Sequence, residues 1–479
     1  MPSIMAMLLM TTIYFSQVQH FPSVTFSPSI FRTGYIRSPP LAQAATVMMK
    51  DADLAAPALL PGKKSLYEVG EIPPLGHVPE KMYGWSIRRE RHGPPDTAMQ
   101  IEVLPTWELD SHDVLVLVLA AGVNYNGVWA CLGQPISMFD VHGAPYLVTG
   151  SDAAGIVWAV GSAVKRWKVG DEVVVHCNQD DGDDEECNGG DPMLSPSQRI
   201  WGYETADGSF GQFTRVQDRQ LLPRPKHLTW EESACYMLTL ATAYRMLFGH
   251  RPHTLRPGHN VLVWGASGGI GSMAVQLCST AGANAIGVVS DADKRDFVMQ
   301  LGAREVLNRK DFNCWGQMPK VGTPEYQAWF KEVRQFGSAI WNITGKGNNV
   351  DMVFEHPGES TFPVSVFCVK RGGMVVICAG TTGYNLTLDA RYLWMHQKRV
   401  QGSHFANLQQ ASLANRLVID RRVDPCLSEV FSWENIPKAH MRMYRNEHKP
   451  GNMAALVSAP TTGLKTLEDT IEASRARFG

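Results

Sequence analysis

A glycine-rich turn between two apolar runs is the strongest chemical signal in the sequence. Its four glycines are Gly265, Gly268, Gly269 and Gly271. Residues 261–263 favour a buried strand, residues 273–281 have helical spacing, and residues 285–289 form a second apolar run. Glycines let a backbone approach a pyrophosphate at a helix N-terminus, where free N–H groups point at the anion. The pattern predicts a β-turn-α-β dinucleotide site; the alternative is a doubly wound domain whose glycines serve only close packing.

The end of the second apolar run indicates which dinucleotide binds. NAD sites usually place an Asp or Glu there, which holds the ribose 2′-OH. Here Asp291 stands one residue late for that role. Ser290, together with Lys294 or Arg295, could instead hold a 2′-phosphate. NADPH is therefore predicted in preference to NADH.

The segments around this unit must position it. Strand patterns are predicted at residues 114–120, 155–160, 172–176, 350–354 and 374–379. A helical pattern at residues 230–248 leads into the glycine turn, and residues 314–344 form an insertion rich in Trp and charge. This order predicts an α/β protein, with a β-rich domain followed by a doubly wound parallel sheet.

Composition and charge limit the possible functions. The chain has 479 residues, enough for two or three domains, and its 44% hydrophobic and 19% charged content is that of a globular protein. A net charge of −2 gives no general attraction to nucleic acid or anionic membrane. Nine cysteines without a CxxC pair favour reduced thiols in a cytoplasmic enzyme. The acidic run at residues 180–186 is expected to be a solvated loop, with a cation site as the alternative.

The first 47 residues differ from the rest. A signal peptide would have Lys or Arg before its apolar stretch, but none precedes the apolar residues 5–15 here. The same stretch is too short to span a bilayer. We expect residues 1–47 to be a disordered extension, or translation to begin naturally at Met48 or Met49. Export is the lesser alternative.

Several long motifs resemble one family. The chain reads GVNYNGVWA at Gly122, RIWGYET at Arg199, VWGASGGIGS at Val263, VFEHPG at Val353 and RYLWMHQKRVQGSHFANL at Arg391. Within the medium-chain dehydrogenase/reductase superfamily, these motifs resemble the crotonyl-CoA carboxylase/reductase family over roughly residues 60–460. The resemblance implies a GroES-like catalytic domain at residues 48–225, a Rossmann NADPH-binding domain at 226–388, and a return segment at 389–479 that completes the catalytic domain.

The resemblance also implies a reaction and its residues. NADPH would reduce the β-carbon of an α,β-unsaturated acyl-CoA, and the resulting enolate would attack CO2, converting crotonyl-CoA to ethylmalonyl-CoA. The motif match places Asn124, Tyr203, Glu204 and His404 at the CO2 pocket. The amide of Asn124 would donate to one CO2 oxygen, and His404 with Glu204 would hold a water at the other end. Plain structural roles for each residue are the alternatives.

Contacts with the cofactor and with CoA are also predicted, the latter from a cluster of cations that could meet the CoA phosphates. Predicted cofactor-binding residues are Thr242, Gly265, Ser267, Gly268, Gly269, Ile270, Gly271, Ser290, Lys294, Arg295, His356, Ala379 and Gly380. Predicted CoA contacts are Lys370, Arg371, Arg391, Lys398 and Arg399, which alternatively form a solvated basic face. The family is oligomeric, so a homotetramer or a dimer is expected.

No catalytic metal is predicted. Zinc alcohol dehydrogenases of this superfamily carry Cys at the position of Asn124 and His-Glu at Ser151-Asp152, so their ligands are replaced here. Two other functions stay open: an NADPH-dependent enoyl-CoA reductase that only protonates the enolate, and a catalytically silent dinucleotide-binding structural or sensor protein.

Overall fold

The computed structural model describes residues 63–479. The predicted extension at residues 1–47 lies outside the described residues. Within them the chain forms a β-rich part, a parallel α/β part and a C-terminal segment that returns to the first sheet.

The N-terminal part is mostly antiparallel sheet. Its strands are β1 (Lys81–Ile87), β2 (Gln100–Pro105), β3 (Asp113–Val123), β4 (Leu147–Val148), β5 (Ala153–Val160), β6 (Glu172–Val175), β7 (Asn178–Gln179), β8 (Arg199–Ile200), β9 (Phe213–Gln217) and β10 (Leu221–Pro223). Its helices are α1 (Pro95–Ala98), α2 (Tyr125–Leu132) and α3 (Phe139–His142). Strand β3 is buried almost throughout and pairs with β5 and β9, because its near-continuous apolar sequence suits the centre of a sheet.

The central part is a Rossmann-type layer. Its strands are β11 (Asn260–Val263), β12 (Asn284–Val289), β13 (Glu305–Asn308), β14 (Val350–Glu355), β15 (Val369–Ile377) and β16 (Arg399–Gly402). Its helices are α4 (Trp230–Ala234), α5 (Met237–Phe248), α6 (Gly269–Thr280), α7 (Arg295–Gln300), α8 (Pro324–Thr344), α9 (Phe362–Cys368), α10 (Ala390–Trp394) and α11 (Leu408–Ile419). In the described part the strands form one parallel sheet, in the order β13-β12-β11-β14-β15-β16. This is the doubly wound order, whose crevice lies between β11 and β14, so the predicted fold class is confirmed.

Two expectations about this part need correction. The helical pattern at residues 230–248 is two helices, because the chain breaks regular structure at Cys235 and Tyr236. The predicted domain boundary after residue 388 assigns β16 to the return segment, whereas β16 pairs with β15 in the parallel sheet. The central layer therefore extends at least to Gly402.

The return segment completes the first sheet. Its elements are β17 (Leu427–Phe431), α12 (Ile436–Tyr444), β18 (Asn452–Leu456) and α13 (Leu467–Phe478). Strand β18 pairs antiparallel with β3 and parallel with β17. The chain thus crosses back to the β-rich part and closes a cleft against the parallel layer.

The aromatic-rich insertion covers one face of the parallel sheet. Trp264, directly after β11, stacks on Phe336 of α8 at 5.7 Å and meets Trp315 edge-on at 5.4 Å between ring centroids. The indole N–H of Trp264 donates to Ser365 Oγ of α9 at 2.8 Å. The insertion therefore buries the residue that precedes the glycine turn.

A buried cation ties β10 to the start of the cofactor layer. The side chain of Arg224 is fully buried, donates to Glu172 Oε2 through Nε at 3.1 Å and Nη2 at 2.7 Å, and lies 4.0 Å from the centroid of the Trp230 ring. Lys226 binds the same carboxylate oxygen at 2.6 Å but is 69% exposed.

Replacing Arg224 by Met should strongly destabilise the protein. The change removes a buried partner from Glu172, which typically costs about 3–5 kcal/mol. Lys226→Met is the matched control, and loss of an exposed ion pair should cost about 1 kcal/mol or less. Urea unfolding followed by circular dichroism measures both. Equal shifts of the two midpoints would contradict this assignment.

Candidate active site

A cleft of about 550 Å³ lies between the parallel layer and the β-rich part. Its floor is formed where β11, β12, β14 and β15 end, because the carboxyl ends of parallel strands meet at one edge of a sheet. Its other wall comes from the end of β3, from α5, and from the segment that leads into β18.

The glycine turn presents open backbone amides to this cleft. Gly268 is the N-cap of α6 and offers no side chain to occupy the first N–H groups of the helix. Gly265 has φ +54°, and a Cβ there would lie 2.8 Å from His356 Nε2. A Cβ at Gly269 would lie 2.4 Å from Asn452 Oδ1. The turn therefore requires glycine on conformational and steric grounds, and its free amides suit a pyrophosphate.

Most predicted cofactor contacts reach the cleft. Its lining includes Thr242, Gly265, Ser267, Gly268, Gly269, Ile270, Ser290, Lys294, His356 and Ala379. Three predicted residues are absent from the lining in the described part of the chain: Gly271, Arg295 and Gly380. A Cβ at Gly271 would lie 2.2 Å from the carbonyl oxygen of Gly265, so this glycine serves packing within the turn. Arg295 forms an ion pair with Glu305 at 2.5 Å.

The end of β12 carries a polar cluster suited to a phosphate. Lys294 Nζ donates to Ser290 Oγ at 2.9 Å and lies 3.7 Å from Asp291 Oδ2. Asp291 is also bonded to Lys310, and hydrogen bonds from Lys310 and then from Ser290 hold its pKa below the ordinary value. Arg309 lines the cleft beside this cluster. Arg309 was missed from the sequence, although it directly follows β13 and so stands at a strand end on the same edge.

His356 and Glu355 shape the cleft where β14 ends. His356 Nε2 donates to the carbonyl of Trp264 at 2.9 Å, and burial lowers its pKa to about 4, so the ring is neutral at pH 7. Glu355 is fully buried and accepts from Thr361 Oγ1 at 2.7 Å and from Ser365 Oγ at 2.5 Å. Burial raises its pKa to about 7. These bonds hold the loop after β14 against the glycine turn.

Asn124 stands at the centre of the cleft wall. It is the N-cap of α2 at the end of β3 and is 8% exposed. Its Nδ2 lies 3.4 Å from Asp152 Oδ2, which also accepts from the backbone N of Leu238 at 3.3 Å. Burial raises the pKa of Asp152 well above its ordinary range. Asp152 thus orients the amide of Asn124, and the second amide hydrogen stays available to a ligand.

His404 reaches the same cleft from the loop after β16. The residue is solvent-accessible, and its ring contacts that of Phe405 at 4.7 Å between centroids. Desolvation, and secondly the charge of Arg245, lower its pKa below the ordinary value. The structure therefore brings Asn124 and His404, separated by 280 positions of sequence, to one cavity.

Tyr203 and Glu204 lie in the turn after β8. Neither is among the cleft-lining residues of the described chain. The hydroxyl of Tyr203 donates to the carbonyl of Gln134 at 2.8 Å, and Glu204 Oε2 accepts from the backbone N of Ile200 at 2.8 Å. Burial raises the pKa of both side chains. Their roles at the CO2 pocket stay predictions.

The five basic residues predicted to contact CoA each have a protein partner in the structure, and their contacts with CoA stay a prediction. They are absent from the cleft lining within the described residues. Lys370 binds Asp351, Arg371 donates to the carbonyl of Met395, Arg391 pairs with Asp389, and Arg399 donates to the carbonyl of Arg251. Lys398 is buried, with Nζ bonded to the carbonyl oxygens of Val366 and Phe367, and burial lowers its pKa to about 8. Lys398 is therefore unsuited to a phosphate, whereas Lys449 and His448 line the cleft.

The positions that hold zinc in related dehydrogenases are occupied here by Asn124, Ser151 and Asp152, whose side chains bond to protein groups. Asn124 faces Asp152 as described, and Ser151 Oγ accepts from Asn126 Nδ2 at 2.6 Å. Within residues 63–479, one group of His, Cys, Asp or Glu side chains has donor atoms within 4.8 Å of one another: Asp181, Asp184 and Cys187, in the acidic loop. The absence of a catalytic metal stays a prediction.

No helix among the described residues is long and apolar enough to cross a membrane. Each of the nine cysteines is a free thiol in the described part of the chain, and seven of them are buried.

Comparisons with known proteins agree with this architecture. A family model described as "Alcohol dehydrogenase GroES-like domain" matches residues 110–226, and one described as "Zinc-binding dehydrogenase" matches residues 269–419. The chain is 75% identical to a crotonyl-CoA carboxylase/reductase of Cereibacter sphaeroides, over 86% of this chain and 96% of that protein.

Solved structures show the same similarity. One crotonyl-CoA carboxylase/reductase matches with a TM-score of 0.84 and 72% identity, over 86% of this chain and 96% of that one. The crotonyl-CoA carboxylase/reductase AntE in complex with NADP matches with a TM-score of 0.79 and 45% identity, over 83% of this chain and 99% of that one.

Lys294→Met should weaken NADPH binding and leave NADH binding nearly unchanged. A hydrogen bond to a charged group contributes roughly 1.5–3 kcal/mol, so the Kd for NADPH should rise by about tenfold or more. Fluorescence titration with each dinucleotide measures both constants. Arg295→Met is the matched control, because Arg295 is committed to Glu305. An equal loss of NADPH affinity in the two variants would contradict the assignment of Lys294 to the 2′-phosphate. An equal loss of NADPH and NADH affinity in Lys294→Met would contradict it too.

Proposed function

The chain belongs to the crotonyl-CoA carboxylase/reductase family, and we propose that the cleft between its two domains is the site of the reaction. The protein catalyses NADPH-dependent reductive carboxylation of an α,β-unsaturated acyl-CoA. Crotonyl-CoA, CO2 and NADPH give ethylmalonyl-CoA and NADP+. The observation that carries the site assignment is that Asn124 and His404 line one cleft together with the glycine turn.

The protein's first task is to hold and aim the cofactor. When bound, NADPH supplies the hydride that reduces the β-carbon and leaves an enolate at the thioester. The free amides of α6 would hold the pyrophosphate, and Ser290, Lys294 and Arg309 would hold the 2′-phosphate. His356 is held on the carbonyl of Trp264, and the hydroxyl of Thr242 donates to the carbonyl of Leu238 at 2.7 Å. These two side chains would border the nicotinamide end of the cofactor.

The second task is to hold CO2 while the enolate forms. CO2 is linear and neutral, with partial negative charge on its oxygens, so it needs hydrogen-bond donors in a small dry pocket. Asn124 donates to one oxygen, and this bond strengthens as carboxylate charge develops there. Asp152 prevents the amide from turning away.

The remaining pocket residues act at the other end of CO2. We propose that His404 and Glu204 hold one ordered water that donates to the second oxygen, with Tyr203 as a wall. The support is that His404 lines the cleft and that Glu204 is half-buried in the turn after β8, where burial raises its pKa. The enzyme thereby needs no metal to polarise CO2.

Assembly, substrate handling and location are further parts of the proposal. Lys449 and His448 are suited to the CoA phosphates because they line the cleft. Exposed apolar side chains beside the edge strand β16, Trp394 (67% exposed) and Met395 (53% exposed), support a homo-oligomer, either a tetramer or a dimer. Free thiols support a cytoplasmic location.

The wild-type activity is tested directly. NADPH oxidation with crotonyl-CoA is followed with and without bicarbonate plus carbonic anhydrase, and products are identified by mass. Ethylmalonyl-CoA with little butyryl-CoA is expected when CO2 is supplied. Butyryl-CoA alone at saturating CO2 would instead support the reductase that merely protonates the enolate. If no enoyl-CoA leads to NADPH oxidation, the result would support the interpretation that the protein is catalytically silent.

Asn124→Ala should divert product from ethylmalonyl-CoA to butyryl-CoA. Loss of one donor aimed at developing negative charge typically costs roughly 10²-fold in rate, and hydride transfer does not use this bond. The ratio of the two products at fixed CO2 measures the effect. Asn126→Ala is the control inside the same cleft, because the Asn126 amide is bonded to Ser151. An unchanged ratio in Asn124→Ala would contradict the role of this amide.

A further inference from the structure

Two charged side chains meet directly behind the phosphate-binding end of the cleft. Asp291 follows β12, and Lys310 follows β13. The two strands pair in parallel, and their register sets Val289 opposite Asn308, which are the last residues of the two strands. Two residues beyond each strand end, Asp291 and Lys310 are therefore brought to the same edge of the sheet. Sheet pairing, and not a contiguous motif, places them together.

The backbone around Lys310 directs its side chain to Asp291. Lys310 lies in the 3-10 turn Arg309–Asp311, whose N-cap is Asn308, and Asn308 Oδ1 accepts from the backbone N of Lys310 at 3.0 Å. The ammonium of Lys310 donates a hydrogen bond to Asp291 Oδ1. Arg309 lines the cleft, whereas Lys310 is not among the cleft-lining residues of the described chain. Two adjacent cations of one turn thus have different targets.

The carboxylate of Asp291 lies one hydrogen bond behind the cleft wall. Its Oδ2 accepts from Ser290 Oγ at 3.0 Å and lies 3.7 Å from Lys294 Nζ, and both of these residues line the cleft. Hydrogen bonds from Lys310 and then from Ser290 hold the pKa of Asp291 below its ordinary value, so the group is ionised at neutral pH. Each carboxylate oxygen therefore has a partner within the protein.

A carboxylate at this place has opposite consequences for the two dinucleotides. The ribose of NADH carries a 2′-hydroxyl, which donates a hydrogen bond to the acidic residue at the second strand end of NAD sites. The ribose of NADPH carries a 2′-phosphate at the same position, and a free carboxylate nearby would repel it. The partner that occupies Asp291 therefore bears on which dinucleotide the cleft accepts.

We propose that Lys310 is a positioning residue for cofactor selection that acts through Asp291. By occupying the carboxylate, Lys310 denies NADH an acceptor for its 2′-hydroxyl and offsets a negative charge beside the 2′-phosphate of NADPH. This inference rests on the proposed function, in which Ser290, Lys294 and Arg309 hold the 2′-phosphate. It goes further by assigning part of the selectivity to an ion pair behind the cleft wall.

Neighbouring cations do not take the place of Lys310. Lys294 Nζ lies 3.7 Å from Asp291 Oδ2, which is longer than a hydrogen bond. Arg295, one residue further along, pairs with Glu305. Within residues 63–479, Lys310 is the one cation that donates a hydrogen bond to Asp291. Removing its ammonium should leave Asp291 Oδ1 free to accept from a ligand.

The test compares the Kd values for NADPH and NADH, by fluorescence titration, in Lys310→Met, Asp291→Ala and the double variant. Lys310→Met should lower the Kd for NADH by roughly threefold to tenfold, because the freed carboxylate gains a hydrogen bond from the 2′-hydroxyl. The same variant should raise the Kd for NADPH by about twofold to fivefold. Asp291→Ala should bind NADH as the wild type does, and adding Lys310→Met should not change that Kd.

Two further variants serve as controls. Lys310→Arg keeps the ion pair with Asp291, so it should retain both wild-type Kd values. Lys226→Met is the matched control, because Lys226 is 69% exposed and pairs with Glu172 in the β-rich part, while Lys310 is 65% exposed. It should leave both Kd values unchanged. Circular dichroism verifies that each variant is folded.

Each outcome supports or overturns the inference. An unchanged or raised Kd for NADH in Lys310→Met would overturn it, and so would a gain in NADH affinity that persists in the double variant. If Lys310→Met weakens NADPH binding equally with and without Asp291, and NADH binding does not change, Lys310 is a direct phosphate ligand instead. Failure of the proposed function is distinguishable, because Lys294→Met would then weaken both dinucleotides equally, or the wild type would form no ethylmalonyl-CoA.

Discussion

The close backbone contact between the glycine turn and the return segment is the constraint on which the site depends. Gly268 and Gly451 form a β-bridge, and the backbone N of Gly451 donates to the carbonyl of Ser267 at 2.8 Å. Side chains at Gly269 or Gly451 would collide with their neighbours, Asn452 and the carbonyl of Cys426 respectively. Because this contact joins the glycine turn to β18, which pairs with β3, it fixes where the glycine turn lies relative to Asn124 at the end of β3.

Around that contact, buried groups are kept neutral or paired. Asp152, Glu355 and His356 have pKa values displaced towards their uncharged forms by burial, while Arg245 and Arg224 are each paired with a carboxylate. A low-dielectric site strengthens the few donors aimed at the substrate and penalises any isolated charge. The same arrangement suits a reaction whose product is lost if a proton reaches the enolate first.

Local features are easier to anticipate from sequence than burial is. The glycine turn, Ser290, Lys294 and Gly271 all belong to one local unit. Gly265, Gly268, Gly269, Ser290 and Lys294 line the cleft, whereas Gly271 shares the pattern but serves packing. The basic run near Arg391 is harder to interpret, because composition does not show that Lys398 is buried on carbonyl oxygens.

The sequence by itself determined the central β-turn-α-β unit, the nature of the cofactor and the family, since each follows from local periodicity or from a contiguous motif. Only the tertiary structure decided which side chains share the cleft. Arg309 and Lys449 reach the cleft only by folding, and Asp152 reaches the amide of Asn124 from a different strand. The physical reason is that pairing, burial and pKa depend on distances in space, which residue spacing along the chain does not specify.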